Sequence, residues 1–164
     1  MFAARDLAQV ALIGIGATAL MDIWLLVLAR LGGPPSSSAL IGRWVGHMPR
    51  GRFVHAAIAR AQPVRFELAW GWLTHYAIGI AYAVVLVGIA GWAWARQPTL
   101  LPALAFGVAT VAAPMLVMQP AMGAGFAASN TPTPLKTALR STANHAVFGL
   151  GLYAAAVVIA GVGS

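Results

Sequence analysis

The sequence predicts an all-α, polytopic membrane protein with four transmembrane helices, and three observations predict it. Hydrophobic residues make up 60 % of the chain and charged residues 8 %, with a mean hydropathy of +0.83. A water-soluble domain carries roughly 25 % charged residues, so this chain has too little polarity to cover a surface facing water. Next, runs long enough to cross a bilayer, ~20 apolar residues each, occur at about 7–29, 68–95, 100–122 and 141–163. Finally, the basic residues are partitioned. The loops at 30–67 and 123–140 hold Arg30, Arg43, Arg50, Arg52, Arg60, Arg65, Lys136 and Arg140; the opposite side holds only Arg5 and Arg96.

In the first span Ala17-Thr18-Ala19 mimics a signal-peptide cleavage site. The leader has no net positive charge, because Arg5 stands beside Asp6, and hydrophobicity continues through "IWLLVLA". The segment therefore reads as a retained helix. In the loop that follows, Ser38 is placed to cap a helix whose stripe is Leu40, Ile41, Trp44, Val45 and Met48, beside Arg43. After Pro49-Arg50-Gly51, the residues Phe53, Ala57, Ile58 and Ala61 repeat the pattern beside Arg52 and Arg60. Both stretches are expected as amphipathic helices in the headgroup plane. Glu67, with Trp70 and Trp72, marks an interfacial start to the second span. The third contains Pro114 and Pro120, each of which removes a backbone bond and frees a carbonyl one turn earlier.

The partition of arginines predicts cytoplasmic long loops and both termini outside, by the positive-inside rule. It also accounts for the net charge of +7 without a nucleic-acid partner. The absence of cysteine excludes disulfides and thiolate metal sites. The whole chain, 1–164, reads as one integral membrane domain whose first partner is the lipid bilayer.

The second and fourth spans echo each other at a spacing of 70 residues. His75 falls on His145, Gly79 on Gly149, and Ile89-Ala90-Gly91 on Ile159-Ala160-Gly161, with polar Thr74 and Asn144 before the histidines. The first and third spans match more weakly at 97, Met21-Asp22 on Met118-Gln119. The pattern suggests two helical-hairpin repeats running the same way through the membrane.

Each span also carries a strongly polar side chain in its cytoplasmic half. At 1.5 Å per residue, Asp22 lies ~12 Å in from Arg30, His75 ~12 Å in from Glu67, His145 ~7 Å in from Arg140 and Gln119 ~6 Å in from Gly123. Such groups are costly against lipid and are expected to turn inward. Gly14, Thr18 and Asp22 share one small-polar helix face. Asp22, His75, Gln119, His145, Thr18 and Asn144 are therefore the candidate ligand-binding residues. Asp22, His75 and His145 have the donor chemistry for a divalent metal. Paired histidines with nearby glycines equally suit a b-type haem. "GHMPRGRFVH" offers His47, Arg50, Arg52 and His55 to a phosphate or lipid headgroup, although positive-inside anchoring also explains its charges.

"GWLTHYAIGIAYA", "QPAMGAGFAASNTPTP" and "HAVFGLGLY", together with "GHMPRGRFVH", resemble a family of small four-helix bacterial membrane proteins catalogued as a domain of unknown function. The likeness covers nearly the whole chain. It implies a bacterial inner-membrane location and a four-span fold, and carries no reaction or site with it. Four function classes stay open on the residues. One is binding or translocation of a proton, metal cation or small solute; another is a haem-bearing redox subunit. The others are an enzyme acting on headgroups, for which no nucleophile or carboxylate pair is evident, and an accessory subunit whose polar layer is structural. The small-residue faces suit a homo-oligomer or a partner in a membrane complex.

Overall fold

The computed structural model describes residues 4–33 and 38–162. Its helices are α1 (Ala4–Arg30), α2 (Ser38–His47), α3 (Glu67–Ala90), α4 (Trp92–Arg96), α5 (Leu100–Ala109), α6 (Gln119–Ala121) and α7 (Pro134–Val162), and no strand occurs among the described residues. Four helical stretches are long and apolar enough to cross a membrane: Arg5–Arg30, Glu67–Ala90, Leu100–Ala121 and Pro134–Val162. Only 17–28 % of their most apolar windows is buried inside the protein. The remaining face is apolar and exposed, with Leu26, Val84, Ile89, Leu101 and Val158 among its residues. Such a face suits lipid contact rather than water. The architecture is that of an all-α polytopic membrane protein.

The span boundaries differ from the sequence expectation where single residues intervene. The second span stops at Ala90 instead of Ala95, because Gly91 adopts φ +82° and turns the chain into the short α4. There the Trp94 indole N–H donates to Thr99 O at 3.1 Å. The fourth helix begins at Pro134, two turns before Ser141, with proline at the first position where its missing N–H costs nothing. The predicted end of that span, Gly163, lies outside the described residues.

The third span is interrupted as its prolines foretell. After α5, Pro114–Met118 forms a π-helical turn leading into α6. Pro120 has no amide to return to the preceding turn, and the Gln119 amide instead reaches Pro114 O, five residues back.

The described residues divide into two compact units, one made of those within 1–34, 76–110 and 143–164 and the other of those within 35–75 and 111–142. The first unit holds the core, in which Ile13, Ala17, Ala83, Leu86, Ala103, Phe148, Leu152 and Ala156 are buried. The Tyr82 ring meets Phe106 and Phe148 edge-on, centroids 6.2 and 5.9 Å apart, joining α3, α5 and α7. Small residues set the helix spacing. A Cβ on Gly14 would come within 2.6 Å of the Ile80 Cα, and one on Gly151 within 2.8 Å of the Ala17 Cα. A Cβ on Gly107 would fall on Gly149 and within 2.8 Å of His145 O.

The second unit brings α2 against the start of α3, where Gly42 and Gly71 leave no room for side chains against Glu67 O and Ser38 O. The predicted first loop helix is present as α2. The second is corrected: residues 52–57 are not helical, and only Ile58–Arg60 makes a 3₁₀ turn. The backbone there is committed elsewhere, the His55 amide donating to Ala121 O at 2.8 Å and the Ile58 amide to Met122 O at 3.0 Å. An amphipathic period of apolar residues does not make a helix when the amides bond to another segment.

Candidate functional site

Within the first unit, hydrogen bonds between side chains of described residues join the helices. The Tyr76 hydroxyl of α3 donates to Asp22 Oδ2 of α1 at 3.0 Å. The Trp24 indole N–H of α1 donates to Asn144 Oδ1 of α7 at 3.1 Å. Thr110, just past α5, contacts His145 Nδ1 of α7 at 2.8 Å. Thr18 is buried and its hydroxyl donates to Gly14 O at 2.8 Å, a local bond that removes its polarity from the α1–α3 contact.

The protons of the Thr110–His145 pair can be assigned. The Thr110 hydroxyl has one hydrogen and sits 2.6 Å from Gly107 O, which can only accept. With that hydrogen spent, the contact to His145 needs the proton from Nδ1–H. His145 is thereby oriented, its Nε2 being the nitrogen that carries the lone pair when the ring is neutral.

Each hairpin repeats one device. In α1, the Thr18 hydroxyl closes on Gly14 O, and Gly14 packs against Gly79; in the second hairpin, the Thr110 hydroxyl closes on Gly107 O, and Gly107 packs against Gly149. Gly79 and Gly149 each follow a histidine by four residues. The register differs from the 97-residue spacing by one turn, since that spacing places position 111, not Gly107, opposite Gly14.

In the second unit His75 packs edge-on to Trp72, ring centroids 6.1 Å apart. The Gln119 side-chain amide donates to Ser141 Oγ at 3.3 Å. Glu67, expected only as an interfacial marker, forms a two-pronged ion pair with Arg43: Nε to Oε2 at 2.9 Å and Nη2 to Oε1 at 2.8 Å. The same guanidinium donates to Ala59 O and Ala61 O, both at 3.1 Å, and so fixes the return of the loop to α3. The hydrogen bond to Glu67 raises the Arg43 pKa above its ordinary value.

Of the residues expected to grip a headgroup, Arg50 and Arg52 are exposed, while His47 is buried, 4 % exposed, with Nε2 2.9 Å from Gln62 O. Among the described residues no three His, Asp or Glu side chains gather so as to hold a metal ion, so the expected three-ligand set of Asp22, His75 and His145 is not among such groups.

Tyr76, Trp24, Thr110 and Ser141 are the partners that sequence reasoning missed. The usable signal was position: Tyr76 adjoins His75, and Thr110 sits three residues after Gly107 and four before Pro114.

A family model described as protein of unknown function (DUF2938) matches residues 11–159. The chain belongs to this family. The DUF2938 match reaches into all four spans and covers both basic loops, in agreement with the resemblance carried by the "GWLTHYAIGIAYA" and "QPAMGAGFAASNTPTP" stretches. No curated protein and no solved structure matches the chain.

Proposed function

We propose that the protein resides in a bacterial inner membrane, with both basic loops in the cytoplasm and both termini outside, and that it binds or translocates a small cation, the proton being the simplest. The observation that carries this reading is the pair formed by Asp22 and Tyr76 inside two apolar spans. A carboxylate changes charge when it takes a proton, and the phenol supplies a neutral donor to the charged form at 3.0 Å. Ionisable groups at membrane depth are costly and by default mark ion or proton pathways. Oriented His145 is a second group in the same unit able to exchange a proton.

Proteoliposomes loaded with a pH-sensitive dye test the proposal under an imposed membrane potential. Wild-type protein is expected to acidify the lumen faster than protein-free vesicles do. Asp22→Asn keeps an oxygen acceptor for Tyr76 but takes no proton, so it is expected to fold normally and leak at the protein-free rate. Equal rates for wild type and Asp22→Asn overturn the assignment.

A purely structural role is favoured by one observation: these polar contacts each tie one helix to another, 22 to 76, 24 to 144 and 110 to 145. In that case Tyr76→Phe lowers the unfolding temperature, and no variant of the layer alters flux.

A further inference from the structure

We propose that His47 and His55 form a two-histidine site for a transition-metal cation of the zinc and copper class. It is separate from the Asp22 reading and stands on four observations in the second unit.

The two rings lie at 65° with centroids 5.1 Å apart. With a metal–nitrogen bond of about 2.0–2.1 Å and tetrahedral angles, two ligating imidazoles hold their ring centres about 5 Å apart. The spacing is therefore already that of a ligand pair.

His47 Nδ1 and His55 Nε2 are buried and have no hydrogen-bond partner. An edge-to-face aromatic contact would account for the ring spacing, but it does not account for leaving a buried nitrogen unpaired on each ring. Buried polar atoms are overwhelmingly satisfied, and each exception calls for a cause.

The tautomer of His47 is set by its surroundings. Gln62 O, 2.9 Å from Nε2, can only accept, so Nε2 carries the proton and the neutral ring presents its lone pair at Nδ1. A ring N–H donated to a backbone carbonyl is how proteins orient a metal-ligating histidine and raise its basicity.

His55 is held by its backbone rather than its side chain, because its amide donates to Ala121 O at 2.8 Å. It is also partly exposed, whereas His47 is buried, so His55 is the outer ring of the pair. Two imidazoles suit zinc and copper among the divalent metals, and they leave two tetrahedral positions to water or an exchangeable ligand.

Tag-free, full-length protein in detergent, stripped with a chelator and titrated with Zn²⁺ by calorimetry, tests the site. Wild type is expected to take up one equivalent. His55→Ala leaves the amide bond to Ala121 intact and is expected to bind at least about tenfold more weakly, with unchanged helical circular dichroism and a single elution peak. His47→Gln is expected to lose binding likewise; if it aggregates, His55→Ala alone decides. Wild-type protein that binds no Zn²⁺, or a folded His55→Ala protein that binds as wild type does, overturns the proposal.

Discussion

Tyr76, next in sequence to the more conspicuous His75, donates its hydroxyl to Asp22. Neighbours on a helix point about 100° apart, so a residue list chosen by polarity alone passes over an adjacent side chain that also makes an inter-helix contact. That is why the candidate site was half legible. Asp22, Asn144, His145 and Gln119 stand out against apolar sequence, whereas their partners Tyr76, Trp24, Thr110 and Ser141 look ordinary in a hydropathy profile. Strain was less legible still. In "GFAASN" the backbone turns left-handed at two successive alanines, Ala127 at φ +47° and Ala128 at φ +65°. A Cβ in that region costs roughly 1–2 kcal/mol, and the turn is kept because Asn130 N donates to Ala124 O and Ala128 N to Gly125 O. Ala127 is exposed and glycine carries no such penalty, so Ala127→Gly is expected to stabilise the protein by about 1 kcal/mol in thermal unfolding. Ala128 is fully buried, so the same change there also loses its methyl contacts and is expected to gain less.

At the level of the helices, length and hydropathy located all four spans, and boundary errors trace to local chemistry. Gly91 ended the second span early, and Pro134 opened the fourth early, on polar residues that hydropathy assigns to the loop. The failed helix at 52–61 has another cause. Its period was correct, but its amides bond to Ala121 and Met122, and a pairing so distant in sequence has no local signature. The glycines show where helices meet. Gly149 packs on α5, where an added Cβ would lie 2.8 Å from Ala103 O, while Gly88 has nothing within 4 Å. Gly149→Val is therefore expected to cost about 1–3 kcal/mol or more through overpacking. Gly88→Ala, in the exposed interior of α3, is expected to be neutral or to gain up to about 1 kcal/mol from helix propensity. Unfolding curves of the two variants in one detergent check both signs. A loss at position 88 equal to that at 149 would show that the α5–α7 contact is not what the glycine protects.

For the whole molecule, the open quantity is orientation, and the charges argue it. Eight of the ten Lys and Arg residues lie in the two stretches 30–67 and 123–140, which an even number of spans puts on one side. Retention of arginine and lysine on the cytoplasmic face is counted over short loops near the span ends, and both stretches qualify. Some of these charges have a second task, since Arg43 binds Glu67 and two loop carbonyls. A paired arginine is a weaker orientation signal than a solvated one, but setting Arg43 aside leaves seven against two. A reporter fused to the C-terminus is therefore expected to give active alkaline phosphatase and no green fluorescence. The same reporters joined after Asn130, within the second basic loop, are expected to give the reverse. Fluorescence from the C-terminal fusion would invert the topology and place Asp22 and Tyr76 nearer the outer face. The proton path proposed for them would then open outward, so the orientation assay also decides from which side the carboxylate is loaded.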